Sequence, residues 1–575
     1  MERTNSDGRL RAVTGAAAGG IAVAGMLLGS PAAALDRTVV THNAMVAAGH
    51  PLAVQAGIKA LQNGGTACDA AVATAAVLSI TMTDMMGPAG SGYALLWNQE
   101  AGELKAIDYN GVAPLATDPA LFTMEGKRRG ILAPTVPGAL KGWEAIHQDC
   151  GQLEWASLWE DAIAYAEDGW PIDTDTAFHI RRHIPELGIY PTWVDAFLID
   201  GRAPERGEIL RRPNLAATYR QFAEQGAAAL YGGDVGERFA AFMEAEGGLI
   251  TMADLEAYEV RWSDPIHVTY RGYDVYGNPP SSSSITWMQM LAIMDGYDVA
   301  ALGHNTAEYL HLFIEASKRA HMDAYAYNTD PAFSDVPVDR LLSPDYADEL
   351  RQKIEADGVW KIEPYDLSYV DLPQRNTATS HMTIVDRWGN AVSSTNTNGT
   401  FYGAGIVVGD TGLMLSNGMD WFDIDLNIWT GERPGPLVME PGKRNRWTLS
   451  PGMLFRDGEL AMVVGGAGAE STMWGIAQPI VNVIDFGMDT QNALNAPRFR
   501  YGDIYHYTGG TQTDIPAGIG ADVYDALRAM GHELSPHGEF RNPARGTTNM
   551  IVLHPTARTL MGGAAPQGRD FVSGY

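Results

Sequence analysis

The stretch Thr377-Ala378-Thr379-Ser380-His381-Met382-Thr383-Ile384-Val385-Asp386, carried on by Gly389-Asn390-Ala391-Val392-Ser393-Ser394-Thr395-Asn396-Thr397, decides how this chain folds. Met382 to Asp386 alternates, is β-branched, and ends at an Arg387-Trp388-Gly389-Asn390 turn, which predicts a β-strand. Thr379 stands where that strand begins. Inside a chain its hydroxyl is a weak nucleophile with no base of its own. At the start of a chain it would carry one, because an α-amino group with a pKa of about 8 is partly unprotonated at neutral pH.

Toward the N-terminus, Met45 to Ala48 reads as a short strand. Pro51 to Asn63 reads as a helix ended by Gly64-Gly65, and Asp69 to Leu78 as a second helix. Gly87-Pro88-Ala89-Gly90-Ser91-Gly92 is a tight loop feeding a strand from Tyr93 to Trp97. Helices dominate from Pro137 to about Met243, and an amphipathic helix runs from Ala307 to Tyr325. Past Ser380 the pattern changes to short strands, at Gly405 to Val408, Gly412 to Leu415, Gly452 to Arg456 and Glu459 to Val464. The mixture predicts stacked α and β layers.

At 575 residues the chain exceeds an ordinary domain of about 100–200, so one very large unit or two halves are expected. A hydrophobic content of 46% with 19% charged residues describes a globular chain. The net charge of −29 argues against nucleic acid or an anionic membrane surface as partner. Arg9 and Arg11 precede an apolar run from Ala12 to Gly29, and Ala32-Ala33-Ala34 offers a small-residue cleavage site. This predicts a signal peptide over residues 1–34 and export to the periplasm or medium, with a retained anchor as the alternative. Two cysteines do not make a disulfide framework. Cys68 lies in a small-residue helical run and reads as a packing residue, and sequence alone cannot pair it with Cys150.

The Thr379 stretch resembles the heart of the gamma-glutamyltransferase family. The resemblance extends over nearly all of the chain after residue 34: Pro51 to Gly57 with Gly64-Gly65 and Asp69-Ala70-Ala71, Pro134 to Gly138, Ala166 to Pro171, Pro279 to Ser282, Ala307 to His311, Asp330-Pro331, Val483 to Met488, and Ala496 to Phe499. It implies a four-layer αββα sandwich of N-terminal-nucleophile hydrolases, with a helix-rich region in its larger part. It also implies autocatalytic cleavage between Ala378 and Thr379, giving a large subunit of residues 35–378 and a small one of 379–575. Thr379 would be the nucleophile and Thr397 the hydroxyl that hydrogen-bonds it. Gly468 and Ala469 match the glycine pair whose N–H groups form an oxyanion hole; Ala469 still offers its N–H. No cofactor and no metal are implied.

The departures concern substrate. Where the family holds a glutamyl head group with Arg, Asn, Gln, Asp and a Ser pair, this chain has Asn110, Gly399 beside Asn398, Gly418, Trp421 beside Asp420, and Trp447-Thr448. Losing the Arg fork and the acidic partner weakens recognition of an α-amino acid. The pattern resembles the amidohydrolase and acylase branches, and Trp421 and Trp447 suggest a flatter or more apolar acyl group. Arg444, Arg446 and Arg498 are candidates to hold a substrate carboxylate. The expected activity is therefore hydrolysis or transfer of a small-molecule amide through an acyl-Thr intermediate. An authentic gamma-glutamyltransferase or glutathione hydrolase is the alternative, and a non-catalytic binding protein on this fold the remote one. Rival motifs fail: His532 and His537 are five apart with a Pro between, and His179 and His183 read as a surface pair on a helix with no third metal ligand.

Overall fold

In the computed structural model the opening stretch forms two long strands, Thr377–Val385 and Ala391–Thr400, paired antiparallel across the tight turn. They lie at the centre of a seven-stranded sheet ordered Phe571–Gly574, Met45–Ala48, Thr377–Val385, Ala391–Thr400, Ser91–Asn98, Glu103–Asp108, Arg261–Ser263. A second seven-stranded sheet runs Val39–Thr41, Leu560–Ala564, Thr547–Leu553, Glu459–Ala467, Gly452–Arg456, Tyr273–Gly277, Ile266–Tyr270. The structure describes residues 38–361, 377–424, 436–501, 513–535, 547–566 and 568–575, all within the unit Arg37–Tyr575. The expected signal peptide lies outside them.

Three apolar layers hold these elements. Met45, Leu95, Val385, Met453, Val463 and Ile551 fill the space between the sheets. On the outer face of the Thr379 sheet pack helices Pro51–Gln62 and Ala67–Thr81. The second helix is buried along its whole length and apolar all round, as a helix enclosed on every side must be. A capping box between Thr66 and Asp69 starts it. Helices Ser284–Met294, Ala307–Tyr327 and Ser471–Ile484 cover the other sheet. This is the four-layer αββα sandwich, and the helix-rich region is the run from Ala139 to Ala257.

Several expectations change. The strands expected at Gly405 to Val408 and Gly412 to Leu415 shrink to Val407–Val408 and Leu413–Met414, because Gly405, Gly409 and Gly412 take positive φ and turn the chain. Cys68 is no mere packing residue: it forms a disulfide with Cys150, their Cα atoms 5.8 Å apart. His179 and His183 do share helix Thr174–Leu187, but they are not a surface pair. Both rings pack against Phe401, with His183 buried. Among the described residues no helix is long and apolar enough to cross a membrane.

Candidate active site

The strand pair is irregular at one place only, between Ala378 and Thr379. Ala378 faces Gly399 and Thr379 faces Thr397, so Asn398 is the extra residue of a β-bulge. Loop residues 83–85 brace it, with Asn398 N–H donating to Met85 O at 2.8 Å and its side-chain amide to Thr83 O at 3.3 Å. Gly399 has φ +100, and a Cβ there would run into Asn417 Oδ1 and come within 3.2 Å of the Trp447 ring. The bulge puts three groups together. Thr397 Oγ1 donates to Ala378 O at 2.6 Å and lies 3.1 Å from Thr379 Oγ1. It also accepts from Gly399 N–H at 2.9 Å. A hydroxyl has one proton and two lone pairs. With its proton on Ala378 O, Thr397 can only accept from Thr379, whose hydroxyl is thereby aligned beside the Ala378–Thr379 peptide.

Two residues along the same strand, on the same face, stands His381, which the sequence reading passed over. Its Nδ1 meets Thr395 Oγ1 at 2.7 Å, and its ring takes the place a side chain on Gly465 would fill. Burial pushes its imidazole down to about 3, so it is neutral. The period-two spacing from Thr379 was the signal that could have found it. Gly465 belongs to strand Glu459–Ala467, which runs out into Gly468 and Ala469, at φ +132 and +53. The turn is pinned from behind: Glu470 pairs with Arg446 at 2.9 Å, both buried.

Ala469 packs in one cluster with Tyr93, Trp421, Trp447 and Leu449. The two indoles lie 4.9 Å apart between centroids. Tyr93 stands opposite Thr395 in register and Ser91 opposite Thr397, which sets this aromatic wall beside the bulge. Asn110 is part of it in a way the sequence did not disclose. Its Oδ1 accepts from Trp447 Nε1 at 2.6 Å, while Nδ2 donates to Asn445 O at 2.8 Å and Tyr93 Oη at 3.2 Å. Asn110 therefore spends its amide on the wall, not on an open substrate site. Gly418 O accepts from Asn445 Nδ2, and Asp420 and Trp421 share the short helix Gly418–Trp421, both buried. Thr448 is buried next to Trp447 in the chain. Of the arginines, Arg444 is buried against Asp108 at 2.8 Å, Arg446 is held by Glu470, and Arg498 donates to Gly475 O and Thr548 Oγ1. Among the described residues no group of three or more His, Cys, Asp or Glu is placed to hold a metal.

A strand-borne Thr between two stacked sheets, with a hydroxyl partner and a glycine-bearing turn, defines the N-terminal-nucleophile class of amide hydrolases and acyltransferases. The chain belongs to the gamma-glutamyltranspeptidase family, whose model matches residues 53–575. It is 32% identical over 549 residues to the glutathione hydrolase-like YwrD proenzyme of Bacillus subtilis (strain 168), covering 93% of this chain and 99% of that one. To the acylase ACY 1 proenzyme of Pseudomonas sp. (strain SE83) it is 34% identical over 536 residues, 90% of this chain and 91% of that protein. Among solved structures, cephalosporin acylase from Bacillus halodurans superposes with a TM-score of 0.84 at 30% identity, covering 95% of this chain and 98% of the other. The expectation of an amide hydrolase or acyltransferase of this family holds.

Proposed function

We propose that the chain cuts itself between Ala378 and Thr379 and then works as an acylase or amidohydrolase on a non-glutamyl amide. One observation carries the first step: a single hydroxyl, Thr397 Oγ1, bonds both the attacking group and the carbonyl it attacks. Thr379 Oγ adds to the Ala378 carbonyl carbon and its proton passes through Thr397. The C–N bond breaks, leaving Ala378 as an ester on Thr379 Oγ with a new α-amino group. Water hydrolyses the ester to the Ala378 carboxylate and a free Thr379 hydroxyl. Residues 379–575 then form a small subunit interleaved with the large one of 35–378, since the Thr379 sheet takes strands from both sides of the cut.

In turnover the new α-amino group takes the Thr379 proton as the hydroxyl attacks a substrate amide. The N–H groups of Gly468 and Ala469 meet the oxyanion, the amine leaves with the proton, and water or an acceptor amine releases the acyl group. Acyl contacts fall to Trp421, Trp447 and Thr448, with Asn398, Gly399 and Asp420 around them. The chain's relatives include acylases as well as glutathione hydrolases. The buried Asp420 carboxylate beside Trp421 is what favours glutamyl chemistry as second reading. Residues 1–34 direct export, a reading the Cys68–Cys150 bridge supports, since such bonds persist in oxidising compartments.

The test is N-terminal sequencing of the purified protein's fragments together with an acyl-anilide panel. The expected small fragment begins Thr-Ser-His-Met, and a protein that stays one chain yet hydrolyses amides would overturn the mechanism.

A further inference from the structure

Trp447 and Asn110 are 337 residues apart, and each satisfies the other. The indole N–H has one proton to give, and Asn110 Oδ1 takes it at 2.6 Å. The carboxamide is itself fixed, because its two protons go to Asn445 O and Tyr93 Oη, and Tyr93 Oη in turn lies 2.9 Å from Ser281 Oγ. All of these side chains are buried. The far edge of the indole, Cη2, reaches the space beside Gly399, two residues from Thr397. Glycine at that place matters, since a side chain would collide with Asn417 and crowd the ring. Trp447 is thus a rigid plate whose outer edge meets the bulge that carries Thr379 and whose inner edge is bolted by an amide.

We propose that the Asn110-held Trp447 sets acyl selectivity, and that the acyl group it selects is planar and uncharged, of the phenylacetyl kind; this rests on the acylase reading above. Two observations point to that class. The buried cluster beside the bulge is aromatic, with Tyr93, Trp421 and Trp447 together and the Trp447 edge next to Gly399. The guanidinium groups nearest to it in sequence, Arg444 and Arg446, are each engaged by a carboxylate partner, the half-buried Asp108 and the buried Glu470. A planar group gains stacking area on such a wall, whereas an acyl chain ending in a carboxylate brings a charge that these arginines already have answered. Asn110 is a positioning residue: it touches the plate, not the substrate.

The experiment compares kcat and KM for phenylacetyl, glutaryl and γ-glutamyl p-nitroanilides in the wild type and in Asn110→Ala, Trp447→Phe, Trp447→Ser and the Asn110→Ala/Trp447→Phe double variant. Cleavage into two fragments and the thermal transition serve as the check on folding. Wild type should prefer the phenylacetyl anilide. Trp447→Ser should lower the phenylacetyl-to-glutaryl ratio of kcat/KM about a hundredfold. Asn110→Ala and Trp447→Phe should each lower it about tenfold, mainly through KM, because both release the plate without removing an aromatic ring. If Asn110 acts only through the indole N–H, the double variant should be no worse than either single one. Additive losses, or ratios that do not move in folded and cleaved variants, would overturn the clamp and leave the acylase reading standing. A wild-type preference for the γ-glutamyl anilide would instead overturn that reading and the planar acyl class with it. A wild-type preference for the glutaryl anilide would overturn the planar class alone.

Discussion

At Thr379, the proposed nucleophile, two threonine hydroxyls and a peptide carbonyl lie in a chain of contacts of 3.1 and 2.6 Å, held by a one-residue bulge. Beside it, on the proposed acyl side, the residues at the positions matched to a glutamyl cradle are bonded within the protein: Asn110 to Trp447, Asn445 and Tyr93, and Gly418 to Asn445. The first region is built to be used by a reacting bond. The second is built as a wall. Bond-making chemistry needs the same few groups whatever acyl chain is processed, so it tolerates little change. The acyl side answers only to the substrate's shape and charge, and a charged cradle can be replaced wholesale if each polar group left behind is satisfied. Asn110 meets that condition with bonds on both sides of its amide.

The comparison breaks first at Thr379. Thr379→Ala removes the hydroxyl required for cleavage and for turnover, so both should be lost entirely. Denaturing electrophoresis should then show one band, and no anilide should be hydrolysed. Two fragments from this variant would place the nucleophile elsewhere. The next largest effect is on substrate. Each charge-assisted contact missing from a glutamyl cradle costs about 1.5–3 kcal/mol, or roughly ten- to a hundredfold. Glutathione should therefore have a kcat/KM at least a hundredfold below that of the best non-glutamyl amide, measured side by side. Efficient glutathione hydrolysis would mean that Asp420, Asn398 or neighbours rebuild the cradle, and the contrast between the two regions would dissolve.

Thr397→Ala should weaken but not abolish both reactions. It removes one hydrogen-bond partner from Thr379 and from Ala378 O, a loss of about 1–3 kcal/mol that slows cleavage roughly five- to a hundredfold. The half-time of fragment appearance in freshly refolded protein measures it. Wild-type speed would remove Thr397 from the site.

The first region was legible in the sequence because its parts are local. Strand alternation, the turn and Thr397 all sit within about twenty residues of Thr379, and register carries one onto the other. The layered fold was legible for the same reason, element by element. What was hidden depends on distant partners. Asn110 could be read as a departure, but its hold on Trp447 joins positions 337 apart. The Cys68–Cys150 bridge spans 82 residues, so an Ala-rich helix looked like ordinary packing for Cys68. His179 and His183 carried the spacing of a helix face without any sign of which face the core takes. His381 lay in plain view beside Thr379, but only the opposing Gly465 explains why a histidine ring fits there.

Away from both regions the expected effects concern stability. Joining Cys68 to Cys150 closes a loop of 82 residues, and chain entropy puts its contribution at up to about 4–5 kcal/mol. Cys68→Ser with Cys150→Ser should lower Tm by several degrees, with cleavage still proceeding at moderate temperature. An unchanged Tm would show that the bridge restrains nothing that packing does not already hold.

The smallest expected effect is a pH dependence at His179, on the helix that packs against Phe401 where the Thr397 strand ends. Burial, only partly countered by Asp84, pushes its imidazole down to about 4. The unfolded chain takes up that proton near pH 6.5, whereas the folded chain resists it until about pH 4. Its contribution is therefore fully present above pH 6.5 and is lost as pH falls toward 4, amounting to about 3 kcal/mol at most across that window. Other buried groups titrate in the same range with mixed sign; Asp570, raised to about 6 by burial, gains its proton earlier in the folded state and so opposes the loss. Overall Tm-versus-pH curves mix these terms, and a difference between two chains isolates one. His179→Gln keeps a polar side chain that does not titrate, so its Tm should fall less than that of the wild type between pH 6.5 and 4.5. The two curves should run parallel above pH 7. Parallel curves throughout would mean that His179 is protonated as easily folded as unfolded, and that its packing against Phe401 leaves water access to the ring.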